Sequence, residues 1–137
     1  MRIALLLALG AIAACSKPQA AAPPAVAGTY AGAGRDALCF ASDGGAARTG
    51  FITYGAGDAN CSASGRLVAA GAAWELVPAG EGECRIPVSF GEGEVTLGTQ
   101  SAACAYYCGP GASFVGKTFR TAPKPPAAVD LAGDPLC

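Results

Sequence analysis

The stretch ECRIPVSFGEGEVTLGT, residues 83–99, decides the fold. Cys84, Ile86, Val88 and Phe90 alternate with Arg85, Pro87 and Ser89, the two-residue period of a strand with one buried face. Gly91-Glu92-Gly93 then supplies turn residues, and beyond it Val95 and Leu97 alternate with Glu94 and Thr96. Two such runs joined by so short a turn predict an antiparallel hairpin. Pro87 has no N–H for a ladder bond, so the first strand is expected at an edge or a bulge.

Working outward, similar short apolar runs cover 37–41, 48–54, 65–70, 73–77 and 113–120, separated by turn signals such as Asp43-Gly44-Gly45 and the stretch 55–58. From Thr29 onward no window of about 11 residues sustains a helical period. Seven short strands at this spacing predict an all-β fold: a small antiparallel meander closed into a barrel or sandwich. Its core is expected to hold Leu38, Phe40, Ile52, Tyr54, Leu67, Trp74, Leu76, Ile86, Val88, Phe90, Val95, Leu97 and Phe119. One segment departs from the pattern. Ser101 can cap a helix, Gly109 can end one and Pro110 forbids continuation, so a short helical turn is expected over 101–108.

The N-terminus is of a different kind. Met1-Arg2 is a short positive region, and residues 3–14 form an apolar run far below the roughly 20 residues a membrane-spanning helix needs. That is the pattern of a cleaved signal peptide. Ile12-Ala13-Ala14-Cys15 resembles the lipobox of bacterial lipoproteins. The resemblance implies cleavage before Cys15, diacylglyceration of its thiol and acylation of the new amine with a fatty acid such as palmitate. Ser16, where Asp would imply retention in the inner membrane, implies the outer membrane of a Gram-negative cell, facing the periplasm. Several acyl chains, at about 0.8 kcal/mol per buried methylene, give stable anchoring. The expected organisation is a signal peptide over 1–14, lipidated Cys15 with an Ala/Pro tether to residue 28, a β domain over 29–121, and a Pro-rich spacer and tail over 122–137.

Nine basic and ten acidic residues give a net charge of −1, with no basic stripe, which argues against nucleic acid. Seven cysteines in so short a chain fit an exported protein. With Cys15 lipidated, Cys39, Cys61, Cys84, Cys104, Cys108 and Cys137 remain, enough for three disulfides. There is no His, and of these cysteines just Cys104 and Cys108 lie close in sequence, so neither a metal nor any other cofactor is expected. Cys61 and Cys84 flank neighbouring predicted strands and are the first candidate pair. In an extended segment Cys104 and Cys108 would stand about 13 Å apart, beyond the roughly 4.4 to 6.8 Å that a disulfide bridges. Each is therefore expected to reach a distant partner, with Cys137 serving one of them and pinning the tail.

The stretch from Gly111 to Thr118 matches G-x-x-x-x-G-K-[ST] letter for letter. The phosphate cradle behind that pattern needs a strand before it and a helix after it. Cys108-Gly109-Pro110 and Phe119-Arg120-Thr121-Ala122-Pro123 supply neither, so no nucleotide is expected. Without His there is no Ser-His-Asp or Cys-His nucleophile. Glu81, Glu83, Glu92 and Glu94 sit in turn-like, solvated positions, whereas a carboxylate hydrolase needs a desolvated acid.

Ser62-Ala63-Ser64-Gly65-Arg66, followed by Gly71 and Trp74, resembles the S-x-S-G-x-x-Y element of membrane-bound lysozyme inhibitors, with Val68 in place of the Tyr and no lysine after Trp74. The resemblance implies a partner-binding loop at Ser62, Ser64 and Gly65, with Ser64 entering a lysozyme cleft. Read from the residues alone, the same stretch is a Ser- and Gly-rich hairpin turn. The sequence thus leads to a lipid-anchored, non-enzymatic envelope protein, held to the membrane through Cys15 and binding an envelope component. A lysozyme inhibitor is the alternative, and a carboxylate hydrolase the third reading.

Overall fold

Residues 27–43, 46–80 and 82–137 are described in the computed structural model. The signal peptide, Cys15, most of the tether, Gly44-Gly45 and Glu81 lie outside the described residues. Eight strands follow one another in a meander: β1 (Gly28–Ala31), β2 (Ala37–Asp43), β3 (Ala46–Tyr54), β4 (Asn60–Ala70), β5 (Ala73–Pro78), β6 (Ile86–Gly91), β7 (Glu94–Leu97) and β8 (Thr118–Thr121). Each pairs antiparallel with the next, and β8 returns to β1 through Tyr30↔Thr121 and Ala31↔Arg120. The result is a closed barrel, which leaves no open sheet edge.

The hairpin that decides the fold is present as β6–β7, in the register Val88↔Leu97, Phe90↔Val95 and Gly91↔Glu94. Its turn is tighter than expected: Gly91 belongs to the strand, and Gly93, at φ +65°, supplies the left-handed residue of a two-residue loop. Pro87 is not at an edge. It faces Glu75 of β5, and its carbonyl accepts the Gly98 N–H at 2.7 Å. The strand expected over 113–120 is confined to β8, because Phe114 turns into the interior and its carbonyl accepts the Lys117 N–H in a loop. β1 was too short to read from pattern alone, and β4 begins at Asn60, ahead of the expected Gly65.

Ten of the thirteen expected core residues are buried; Tyr54, Trp74 and Phe90 are half-buried at its margin. Tyr30, Phe51 and Phe114 fill the interior beside them, with Phe51 and Phe114 edge to face. Ile52, next to Phe51, is also buried, but on the outside of the wall. There it meets Ala37, Cys39 and Leu136 in a second apolar cluster. The tail therefore packs onto the barrel as a strap across β2 and β3.

Three disulfides staple the fold: Cys39–Cys137, Cys61–Cys108 and Cys84–Cys104. Cys104 and Cys108 each take a distant partner, as expected. Two other expectations are corrected. Cys61 does not pair with Cys84, because β5 stands between β4 and the segment entering β6. Cys137 takes Cys39, because the strap runs over the outer face of β2, away from the 101–108 segment. That segment is a 3-10 helix, Ala102–Tyr107, whose two cysteines are tied to β4 and to the approach to β6. Ser101 makes no side-chain capping bond to it.

Candidate functional site

β4 carries the residues that resemble the inhibitor element, and it is a strand through all of them. Cys61, Ala63 and Leu67 point into the core, which fixes the phase and sends Ser62 and Ser64 outward. Ser62 pairs with Ile52, Ser64 with Gly50 and Gly65 with Thr49. The expected loop at Ser62, Ser64 and Gly65 is thus corrected to the middle of a sheet. Ser64 Oγ donates to the Leu136 carbonyl at 2.8 Å. Gly65 is required by packing, since a Cβ there would stand 2.0 Å from the Val77 oxygen.

In the stretch from Gly111 to Thr118, Lys117 is engaged within the protein. Its Nζ lies 3.1 Å from Oδ2 of buried Asp36, whose Oδ1 accepts the Tyr54 N–H at 2.7 Å. A strand follows, where a phosphate-binding loop has a helix. Glu83 and Glu92 are exposed, and Glu94 pairs with Arg120. Among the described residues no group of three or more His, Cys, Asp or Glu is placed to hold a metal ion.

What the fold does bring together is a set of arginines. Arg48 on β3 and Arg66 on β4 are directly opposite one another, on the same outward phase as Gly50 and Ser64. Arg85, just before β6, completes the set. Its Nη1 donates to the Cys84 carbonyl at 2.8 Å, which orients the guanidinium. The three line a groove of about 550 Å³ whose other described walls are Ser64, Gly65, Val77, Pro78, Ala79, Gly80 and Gly82.

The remaining cations behave differently. Arg35 pairs with Asp58, Lys117 with Asp36 and Arg120 with Glu94, leaving Lys124 as the other described cation outside an ion pair. None of the groove arginines is joined to a carboxylate among the described residues. Like charges directly across a ladder are destabilising. Guanidinium forks side by side suit a carboxylate or phosphate held by paired N–H donors.

Among the described residues no carboxylate, imidazole or free thiol lines this groove, and the hydroxyl of Ser64 is committed to Leu136. The arginines are 18 and 19 residues apart in sequence. Only the registers of β3 and β4 put them on one face, and the sequence signal was limited to Arg48 and Arg66 lying in polar phase.

Ala79, Gly80 and Gly82 also wall a second concavity, of about 300 Å³, with Ala103, Tyr106 and Tyr107 of the 3-10 helix. Tyr106 is 89% exposed, and its ring stands perpendicular to that of Tyr107 with centroids 5.3 Å apart. No protein-family model matches the chain, and neither a curated protein nor a solved structure does.

Proposed function

We propose that the chain is an exported, lipid-anchored cell-envelope protein whose barrel binds an anionic ligand in the Arg48–Arg66–Arg85 groove and catalyses no reaction. The observation that carries the binding half is the pairing of Arg48 opposite Arg66, a repulsion on the wall of a groove that an anion would relieve. The anchoring half rests on the leader and on Ile12-Ala13-Ala14-Cys15. Three disulfides within the described residues agree with an oxidising compartment. The tether, residues 16–28, spans up to roughly 40 Å at about 3.1 Å per residue where it is extended, so the groove works near a membrane surface. The lysozyme-inhibitor reading has weaker support, since the residues it relies on run inside β4 beneath the strap.

Two measurements test the two halves. Mature protein in detergent is titrated with citrate by calorimetry at low and high salt. Binding is expected at low salt, weakening as salt screens the charges and disappearing in the Arg48→Ala/Arg66→Ala variant. Equal binding by that variant would overturn the site. For the anchor, Cys15→Ser is expected to abolish fatty-acid labelling, and undiminished labelling would remove the lipid from the reading.

A further inference from the structure

We infer that the ligand is an acidic saccharide, with a carboxylate between Arg48 and Arg66 and a neighbouring sugar ring against the Tyr106–Tyr107 corner; this rests on the anion-binding reading proposed above. The arginine groove and the tyrosine concavity share one wall, Ala79, Gly80 and Gly82. At Gly80 and Gly82 a Cβ would meet nothing within 4 Å. Neither glycine has a side chain, so at these two positions the shared wall leaves room for a chain-like ligand to pass from one concavity to the other.

The tyrosines are presented rigidly. Cys104 and Cys108 bracket them, and both are tied by disulfides to the barrel. An exposed aromatic so held loses little further freedom on binding, which favours affinity. The ring supplies an apolar face with a polar tip. A pyranose ring has the matching character, with C–H groups on its face and hydroxyls on its edge, and a uronate adds the carboxylate that the arginines take.

Other anions fit less well. A small inorganic anion uses the arginines and leaves the tyrosines idle. A single-stranded nucleic acid also combines stacking with charge, but it tracks along a continuous basic groove, and among the described residues the groove holds three cations.

The test compares hexagalacturonate, its neutral methyl ester and citrate as ligands of the mature protein in detergent. Hexagalacturonate is expected to bind, and its neutral ester about tenfold or more weaker. Tyr106→Ala is expected to weaken hexagalacturonate by about tenfold while leaving citrate unchanged. Gly82→Phe, whose Cβ meets no described protein atom within 4 Å, is expected to weaken hexagalacturonate as well. If citrate binds through Arg48 and Arg66 but hexagalacturonate does not, or is indifferent to Tyr106 and Gly82, the saccharide inference falls and the anion reading stands. If neither ligand binds, both fall. Tighter, Tyr106-dependent binding of oligodeoxythymidylate would overturn the saccharide in favour of nucleic acid.

Discussion

Ser64 in the middle of β4 donates its hydroxyl proton to the carbonyl of Leu136, 72 residues further along the chain, at 2.8 Å. This bond ties the strap to the wall of the barrel beside the arginine groove, which Ser64 also lines. The strap has its own local order. Asp130 Oδ1 accepts the N–H groups of Ala132 and Asp134, and Leu136 N–H returns to the Ala128 carbonyl, closing a small loop. Its main apolar contribution is Leu136, which joins Ile52 and Ala37 in one cluster with Ala128 and Cys137 packed against it.

Gly50 is the point where the strap lies closest. A Cβ there would stand 2.4 Å from the Leu136 oxygen and 2.7 Å from its Cβ, so even the smallest side chain must lift the strap. Gly50→Ala is expected to cost about 1 to 3 kcal/mol in urea unfolding, the usual range for overpacking. The strap should also become the first segment cut in limited proteolysis. An unchanged midpoint and cleavage pattern would mean that the strap does not seat on β3.

The disulfide Cys39–Cys137 closes a loop across a sequence separation of 98. In the chain-entropy model, a loop of about 100 residues contributes on the order of 4 to 5 kcal/mol. Cys39→Ser/Cys137→Ser is therefore expected to lower the melting temperature by roughly 15 °C or more, given several degrees per kcal/mol in a domain of this size. Mass mapping of the unreduced wild type should find 39–137, 61–108 and 84–104 and no free thiol among these six. A double variant melting with wild type would leave this bond without a structural role.

The hairpin over 86–97 was legible because its apolar residues keep strict alternation and its turn is glycine-rich. Where both faces of a strand are covered, alternation is lost. Phe51 and Ile52 are adjacent and both buried, one inside the barrel and one under the strap, so the period carried no sign of an outer layer. The tail over 127–137 carries Val129, Leu131 and Leu136, of which Leu136 alone is buried, and without a period to mark it the tail reads as loose. The disulfide map was closed to sequence for a related reason. Barrel closure sets which cysteines meet, and β5 separates the pair that adjacency in the chain suggested. The groove depends on the register of β3 against β4, which charge counting cannot supply.

Asp36 is 2% exposed and holds two groups at once, the Tyr54 N–H and the Lys117 ammonium. Asp36→Ala removes both and leaves the part-buried amide without this acceptor, with an expected loss of about 2 to 3 kcal/mol by urea unfolding. Asp36→Asn keeps an acceptor for the amide and should lose less. Lys117 is 33% exposed on its side chain, so its charge is partly screened, and Lys117→Met is expected to cost about 1 kcal/mol or less. A larger loss for Lys117→Met than for Asp36→Ala would reverse this assignment.

Thr49 offers the opposite case, a substitution expected to help. It is buried on the inward phase of β3, between the outward-pointing Arg48 and Gly50, and its Oγ1 has no hydrogen-bond partner among the described residues. A buried hydroxyl without a partner forfeits its hydration and gains nothing in return, a cost of about 1 to 3 kcal/mol in protein mutational series. Valine keeps the branched shape and the strand preference while replacing the hydroxyl by a methyl group. Thr49→Val is therefore expected to raise stability by about 1 kcal/mol and to leave citrate binding unchanged, because the side chain faces away from the groove. Thermal and urea unfolding of the variant check both the sign and the size. A loss of 1 kcal/mol or more would show that the hydroxyl is satisfied in solution, most simply by a water held inside the barrel.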